Sequence, residues 1–455
     1  MGNSKPGRKA GFLNALGLHR PELRAWAMYD WAVSSMQTVI TTAIFPIFFV
    51  KVAGANLGPN EGAQWWGSAN TVGAVLIAIL APILGALADY KAAKKRFLVG
   101  FILLGVASTA AMYFIAHGQV LYASIVFVLS LAGATGSVTF YESLLPHIAS
   151  EDEMDRVSTA GYAMGYIGGG LLLAINLAWI TNPGMFGLAS GDGLSQSEAT
   201  FPARLAFLSV AVWWLLFSIP LLRRVPEPPR LLEEDEAPKA NPLRVAFTRL
   251  GETIREMRGY KQAFLAMLAF TIYNDGIQTI VKMASVYGNE IGIGESDLIT
   301  AILLVQFIGV PCAFAFGTLA GKLGTKRSIF LGLAVYTGIC IFAYNMTTTR
   351  EFYILACLVG LVQGGTQALS RSLFANMIPK HKSGEFFGFY SVFEKFGGIL
   401  GPLLFTIVLG QSGSSRVAIL AVIAFFVAGG VVLSFVNVED GERVARESDA
   451  RVRAA

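Results

Sequence analysis

The chain has 455 residues, of which 54% are hydrophobic and only 14% are charged. A soluble domain of ordinary composition carries about 25% charged residues, and here the deficit runs along the whole chain. The composition excludes an ordinary soluble protein and indicates a polytopic membrane protein. The net charge of +5 is explained below by membrane topology, so we expect no nucleic-acid partner.

The first 24 residues are basic and polar, and they lack a short apolar core followed by a small-residue cleavage site. We therefore expect that the first apolar run is an uncleaved membrane anchor. A helix needs roughly 20 apolar residues to cross the hydrocarbon core, and twelve stretches meet this requirement. The predicted spans cover residues 25–50, 65–88, 97–116, 120–147, 157–180, 204–222, 263–287, 298–320, 328–346, 352–378, 386–409 and 416–437.

The basic residues predict the orientation of these spans. Of the 35 Lys and Arg residues, most lie on the side that holds both termini. Four lie near the span ends on the opposite side, and three lie within spans. Cytoplasmic loops carry an excess of Lys and Arg, so we expect both termini to be cytoplasmic. The acidic loop at 148–157 is an exception, although Asp and Glu weigh little in this rule.

The longest polar segment separates six spans from six. Its first part is rich in Pro and charge and is typical of a linker. Its second part, over 241–257, predicts a basic amphipathic helix, which either lies on the membrane surface or packs against the bundle. The predicted divisions are a tail at 1–24, a bundle at 25–222, a linker at 223–262, a second bundle at 263–437 and a tail at 438–455.

The two halves repeat short motifs. The segment GALADYKAAKKR follows the second span and GTLAGKLGTKR follows the eighth. Glu142 and Arg371 both precede Ser-Leu, and they lie as far apart as the glycine pairs that begin at Gly168 and Gly397. Such duplication predicts two bundles around a central cavity, with a substrate site near the membrane midplane.

The G-x-L-A-D loop, its second copy and the twelve spans resemble the major facilitator superfamily over essentially the whole chain. The segments WAMYDWAVSS (26–35) and YNDGIQT (273–279) are similar to the branch that contains fungal autophagy-related vacuolar amino-acid effluxers and many bacterial relatives. Gly321 departs from the pattern, because it stands where the first copy has Asp89. The resemblance implies an all-α fold of two pseudo-symmetric six-helix bundles, a monomer, and a place in a bacterial inner membrane.

Charged residues at membrane depth are costly and usually face the bundle interior or a wet cavity. The spacing of Asp275, Gln278 and Lys282 places them on one face of the seventh span, and Asp30 and Gln37 repeat the seven-residue interval in the first span. We predict that these faces line the pathway for substrate or a coupling proton. The alternative for Asp30 is contact with water or with Arg24 near the end of its span. Glu394 and Lys395 are adjacent, so one is predicted to line the pathway and the other to pair laterally.

Glu142 and Arg371 carry opposite charges at matching positions of the two halves. We predict that they pair across the interface when the cytoplasmic side is closed, and that separation of the pair accompanies opening. The alternative is that each pairs within its own half. By resemblance, Asp89 and its basic loop latch the inner side, whereas a solvated loop would explain the lysines alone.

Tryptophans near span ends, Trp26 among them, are typical of interfacial belts. Tyr29, Tyr162 and Tyr166 are candidates to line a binding site. No P-loop, H-E-x-x-H or G-x-S-x-G motif occurs, and the four histidines lack metal-ligand spacing. We therefore expect neither an enzyme nor a cofactor.

The predicted function is secondary transport of a small polar solute by alternating access, powered by protons. The resemblance implies amino acids, while sugars, peptides and drug-like compounds stay open. A membrane sensor that binds without net flux is the rival class.

Overall fold

The computed structural model describes residues 13–58, 61–191, 193–229, 248, 251, 259–290, 292–396 and 400–454. Throughout these ranges the regular structure is helical, which confirms the predicted all-α class. The helices are α1 (Pro21–Ser35), α2 (Phe45–Phe48), α3 (Glu61–Lys91), α4 (Lys94–Ala111), α5 (Val120–Ile148), α6 (Met154–Thr181), α7 (Gln196–Arg224), α8 (Lys261–Glu290), α9 (Glu295–Leu323), α10 (Thr325–Asn345), α11 (Thr349–Asn376), α12 (Ser383–Phe396), α13 (Leu400–Ser412), α14 (Ser415–Ala421), α15 (Ile423–Ser434) and α16 (Val438–Ala454).

The predicted spans correspond closely to these helices. Within the described ranges, 10 helices are long and apolar enough to cross a membrane, and a bent pair at the start of the chain brings the number to 11. The span predicted at 386–409 is divided between α12 and α13, because residues 397–399 lie outside the described part of the chain. The amphipathic helix predicted over 241–257 also falls outside the described ranges, apart from residues 248 and 251.

The first span is not the single straight helix that the apolar run predicted. Between α1 and α2 the chain continues as a π-helix over Met36–Ala43, and the two parts of the span differ in direction by 43°. Pro46 explains the bend, because its ring lacks an N–H and disfavours helical geometry in the residue before it. The Thr42 hydroxyl donates to the Gln37 carbonyl at 2.9 Å inside this irregular turn.

Ion pairs gather the chain ends and several loops on one side of the molecule. Arg20, before α1, lies 2.5 Å from Glu153, before α6, and Arg446 of α16 lies 2.7 Å from Glu151. We call this the terminal side of the membrane. Its assignment to the cytoplasm stays a prediction.

Helices α1–α7 form what we call the N-terminal half, and α8–α15 form the C-terminal half. The halves meet where α3 packs against α12, and where α6 packs against α9 and α11. Glycines allow the closest crossings. A Cβ atom on Gly85 of α3 would collide with the backbone of Gly384 on α12, and one on Gly317 of α9 would collide with the Thr159 side chain on α6.

Gly85 and Gly317 open the two copies of the G-x-L-A motif, so the repeat has a packing reason. Each copy places a glycine on the terminal side where its helix crosses the other half. The close approach of backbones at such glycines is a common device of membrane helix packing.

We predict that Gly85→Ala destabilises the closed terminal side, because an added methyl group would overpack the crossing of α3 and α12. Overpacking of this kind costs roughly 1–3 kcal/mol, so the thermal unfolding midpoint of the purified protein should fall measurably. Gly100→Ala is the matched control, since a Cβ on Gly100 would meet nothing within 4 Å. Equal midpoints for both variants would contradict this packing role.

Candidate functional site

A single arginine of the C-terminal half is buried inside the N-terminal half. Arg371 of α11 is 2% exposed. Its Nε donates to Ser158 Oγ at 2.9 Å and its Nη2 donates to the Ser158 carbonyl at 2.8 Å, both on α6. The Ser158 hydroxyl in turn donates to the carbonyl of Ala368 at 2.7 Å. These bonds fix the guanidinium in one position.

Two carboxylates of the N-terminal half face the same guanidinium. Arg371 Nη1 lies 3.5 Å from Asp30 Oδ2 on α1 and 3.5 Å from Glu142 Oε1 on α5. The Tyr141 hydroxyl donates to Asp30 Oδ2 at 2.7 Å. Glu142 Oε2 is buried and has no hydrogen-bond partner among the described residues. One positive charge thus faces two groups that are each able to carry a negative charge.

Aromatic rings complete the enclosure. The guanidinium carbon lies 4.9 Å from the ring centre of Trp26, 4.6 Å from that of Tyr162 and 5.9 Å from that of Tyr141, within the range of cation–π attraction. Trp26 and Tyr141 stack at 4.3 Å, and the Trp26 indole donates to the Tyr141 carbonyl at 3.0 Å. We call the side chains around Arg371 the cage: Trp26, Asp30, Tyr141, Glu142, Ser158 and Tyr162.

Gly161 on α6 leaves the space that the cage requires. A Cβ atom there would clash with Asp30, Trp26 and the Arg371 guanidinium. The cage also lies inside the helix bundle and not at its end. Along their helices, Asp30, Glu142 and Arg371 lie roughly 8–14 Å from the terminal-side ends, at 1.5 Å per residue.

The structure joins residues that the sequence analysis treated separately. Asp30 was predicted to line the pathway and Glu142 and Arg371 to form a gate, yet all three meet in the cage. The contact between Glu142 and Arg371 across the halves is present, while its role in gating stays a prediction. Trp26 was predicted at the membrane interface, and this was wrong: the ring is 0% exposed because it stacks on Tyr141 beside the guanidinium.

The candidates on α8 and Gln37 on the first span are not part of the cage. Asp275 on α8 is 1% exposed, and its Oδ2 accepts from the backbone N–H of Gly401 on α13 at 2.9 Å. It therefore binds the backbone of a neighbouring helix. Gln278 is half-buried and Lys282 is exposed on the same helix, and Gln37 is exposed on the first span. The pathway role of this face stays a prediction.

Glu394 and Lys395 are on α12. The Glu394 side chain is half-buried and lies near enough to the cage to interact electrostatically with Glu142 and Tyr162. The Lys395 side chain lies outside the described part of the chain. The prediction that one of them lines the pathway is therefore left as a prediction.

Asp89 joins the two halves at the terminal side. Its carboxylate pairs with Lys94 Nζ at 2.7 Å and accepts from the backbone N–H groups of Gly384 at 3.2 Å and Glu385 at 2.9 Å. A carboxylate from α3 thus caps the first turn of α12, where both the free N–H groups and the helix dipole favour negative charge. Lys94 Nζ also donates to Ser383 Oγ at 2.6 Å. These contacts join the end of α3 and the start of α4 to the start of α12 on the terminal side.

A second acidic contact was missed by the sequence analysis. Asp155, in the first turn of α6, accepts hydrogen bonds from the hydroxyls of Ser372 on α11 and of Thr325 at the start of α10, the latter at 2.6 Å. Thr325 lies in the second copy of the repeated loop, at the position that corresponds to Lys94 when the final Lys-Arg pairs are matched. The second copy has Gly321 where the first has Asp89, and Asp155 of the N-terminal half supplies an acid to this loop instead.

The acidic loop at 148–157 was the signal for this contact. Against the positive-inside rule it looked only like an exception. In the structure its acids bind partners on the terminal side: Glu151 meets Arg446, Glu153 meets Arg20, and Asp155 holds the second loop.

The last helix is held against the loop before α12. Asp449 of α16 lies 2.8 Å from His381 Nδ1, and it accepts from the backbone N–H groups of Lys380 at 3.1 Å and His381 at 3.4 Å. Burial acts to raise the pKa of Asp449. The His381 ring and the backbone N–H groups act more strongly together and hold that pKa below its usual range.

Comparisons with known proteins agree with this architecture. Residues 68–446 match the family described as vacuole effluxer Atg22 like. The uncharacterized MFS-type transporter YxiO of Bacillus subtilis is 36% identical over 427 residues, which cover 93% of this chain and 97% of YxiO. Autophagy-related protein 22 of Yarrowia lipolytica is 26% identical over 318 residues, and the match spans 64% of this chain but only 51% of the fungal protein.

Solved structures share the fold at low sequence identity. The human organic anion transporter MFSD10 superimposes with a TM-score of 0.66 at 14% identity, over 91% of this chain and 99% of that one. FucP, a major facilitator superfamily transporter in an outward conformation, gives 0.66 at 13% identity, over 92% and 100% of the two chains. These likenesses confirm the predicted major facilitator fold.

We predict that Asp89→Ala loosens the terminal side, because it removes the ion pair with Lys94 and the cap of α12. The probe is Thr139→Cys in a chain whose native Cys312, Cys340 and Cys357 are replaced by alanine. Thr139 is fully buried and its hydroxyl lies 2.7 Å from Ser391 Oγ across the interface. The rate at which a water-soluble maleimide labels the probe should rise several-fold in the Asp89→Ala variant.

Asp152→Ala is the control for this labelling, because Asp152 is an exposed acid near the same surface. It should leave the labelling rate unchanged. A rate that is the same in all three proteins would show that Asp89 does not hold the interface closed.

We also predict a pH-dependent effect of Asp449→Asn. The lowered pKa means that the Asp449 carboxylate stabilises the docked α16 above its ordinary pKa, and that this contribution is lost only as pH falls through the lowered value. At neutral pH, the variant should release α16 to protease digestion faster than the unmodified protein. The difference should vanish at strongly acidic pH, and a difference that persists there would contradict the ionic origin of the contact.

Proposed function

Since the chain belongs to the family of vacuole effluxers like Atg22, and hence to the major facilitator transporters, we propose that it moves amino acids by alternating access and couples their movement to protons. It is a transporter and not an enzyme. We propose the amino-acid substrate, the proton coupling and the alternating-access cycle in addition to the transporter class.

Alternating access is supported by the contacts on the terminal side. The guanidinium of Arg371, the Asp89 cap and the Asp155 contact all join the N-terminal half to the C-terminal half there. Rocking of two halves about a central site requires that such contacts break and reform. The arrangement is therefore that of a transporter closed on its terminal side.

Polar side chains at membrane depth support a wet chamber toward the opposite side. Gln37 and Thr42 in the first span, Thr71 on α3 and Lys282 on α8 are exposed. Polar groups at this depth favour a water-filled cavity over lipid. We propose that solute enters or leaves through this chamber while the terminal side is closed.

Proton coupling is supported by the charge balance of the cage. Arg371 offsets one carboxylate charge, whereas Asp30 and Glu142 together carry two. A proton on either carboxylate would balance the second charge, and Glu142 Oε2, which has no partner within the described residues, has room to carry it. Uncompensated charge in a buried site is strongly unfavourable, so protonation and opening are linked in this proposal.

The family description names an effluxer, and the resemblance to autophagy-related effluxers favours amino acids. We further propose that the terminal side is the cytoplasmic face of a bacterial inner membrane, because the basic residues concentrate there. A monomer suffices for this cycle, since both halves of the gate belong to one chain.

We predict protein-dependent flux of labelled amino acids in liposomes that contain the purified protein. A proton gradient should increase the initial rate several-fold. Asp30→Asn and Glu142→Gln should each remove the dependence on the gradient, because each leaves one carboxylate that Arg371 alone can balance. Glu198→Gln, an exposed residue in the first turn of α7 at which Gln can keep the capping contact, should behave like the unmodified protein.

Flux that is absent for every amino acid, with and without a gradient, would contradict the proposal. Binding without flux would favour a sensor, and flux of sugars, peptides or drug-like compounds alone would replace the substrate class. Flux that does not respond to the gradient would contradict proton coupling and leave the proposal of transport in place.

A further inference from the structure

We propose that the cage is the binding site for a cationic group of the substrate, and that Arg371 fills it as a tethered substitute while the terminal side is closed. This inference rests on the proposed function and narrows its substrate class to solutes with a guanidinium or ammonium side group, such as cationic amino acids.

The side chains of the cage and the cation inside it come from different halves of the chain. Every residue of the cage belongs to α1, α5 or α6 of the N-terminal half, whereas the cation inside it comes from α11 of the C-terminal half. The N-terminal half therefore holds a complete site for a guanidinium group. Two ring faces, two carboxylates, and the hydroxyl and carbonyl oxygens of Ser158 surround that group.

Opening of the terminal side must remove Arg371 from this site. Separation of the halves carries α11 away from α1, α5 and α6, so the cage is left without its cation. Asp30 and Glu142 would then face each other across a space lined by aromatic rings. Buried carboxylates that lose their counter-charge are strongly unfavourable, so protons or another cation must take the place of Arg371.

The cage suits a planar organic cation better than a small metal ion. Trp26 and Tyr162 offer ring faces within 5 Å of the guanidinium carbon, and such faces attract guanidinium and ammonium groups. The Ser158 oxygens accept two N–H donors on one edge of the guanidinium, and the carboxylates lie near a third nitrogen. Glu142 Oε2, buried and unpartnered among the described residues, remains as a further acceptor.

The same geometry links substrate and proton. Arg371, a substrate cation and protons all neutralise Asp30 and Glu142, so each excludes the others. Glu394 of α12, which also interacts electrostatically with Glu142, adds to the negative charge that these cations meet. A cation that leaves the cage must be replaced by Arg371, which closes the terminal side, or by protons. The expected behaviour is competition, in which low pH on the terminal side weakens cation binding from that side.

The binding test uses the full-length protein in detergent and the pair L-arginine and L-citrulline, which differ chiefly by the charged guanidinium of arginine. Arg371→Ala vacates the cage, so this variant should be stabilised against thermal unfolding by arginine at a concentration about tenfold or more below that needed for citrulline. Adding both Asp30→Asn and Glu142→Gln to the variant should abolish the preference, because neither carboxylate of the cage then remains. Arg350→Ala, at an exposed arginine near the start of α11, is the matched control and should respond like the unmodified protein.

The flux test uses the unmodified protein in liposomes and does not depend on the folding of any variant. Arginine and lysine should be transported in strong preference to citrulline and leucine. Flux of citrulline or leucine equal to that of arginine would overturn the inference and leave the proposed function in place.

The two tests separate the inference from the proposed function. Selective binding of arginine by the Arg371→Ala variant, with no flux of any solute in the unmodified protein, would support the cage and contradict transport. Equal responses of that variant to arginine and citrulline would overturn the inference, whatever the flux shows.

Discussion

The burial of one guanidinium between the two halves is the constraint on which the rest of the structure depends. Arg371 reaches from α11 into a cage built by three helices of the other half, and there its charge is met by carboxylates, ring faces and the oxygens of Ser158. Removal of such a group from its partners leaves buried charge on both sides. The contact is therefore stable while it is formed, and Arg371 can leave only when another positive charge takes its place. A gate in a membrane protein requires this behaviour.

The surrounding contacts lie at the motifs that repeat in the two halves. Gly85 and Gly317 begin the repeated motifs and sit where backbones cross between the halves. Asp89 caps the first turn of α12, while its counterpart position holds Gly321, and the acid comes instead from Asp155 on the opposite half. Both copies of the repeated loop thus have an acidic contact between the halves, although the acid comes from the loop itself in the first copy and from α6 in the second.

Much of the architecture could be predicted from composition and periodicity, because long apolar runs in a bilayer can form little other than helices. The bend in the first span was not predicted, although Pro46 was its signal, since a hydropathy pattern does not report backbone geometry. The sequence singled out Asp30, Glu142 and Arg371 as charged residues inside spans, but their convergence depends on which helices are neighbours. Periodicity places Asp275 on a face and says nothing of the backbone N–H of Gly401 that it binds. Asp155 was not predicted as a contact residue, because the acidic loop at 148–157 looked only like an exception to the excess of Lys and Arg in cytoplasmic loops.

The most direct measurement of the central claim is the distance between the halves on the terminal side. Spin labels at Lys91, at the end of α3, and at Lys322, near the end of α9, occupy exposed positions on opposite halves. In a chain without native cysteines, pulsed electron paramagnetic resonance should give one short distance when Arg371 is present. Arg371→Ala should add a population at longer distance, because the cage no longer holds the two halves together. A distance distribution that is unchanged by this substitution would contradict the account.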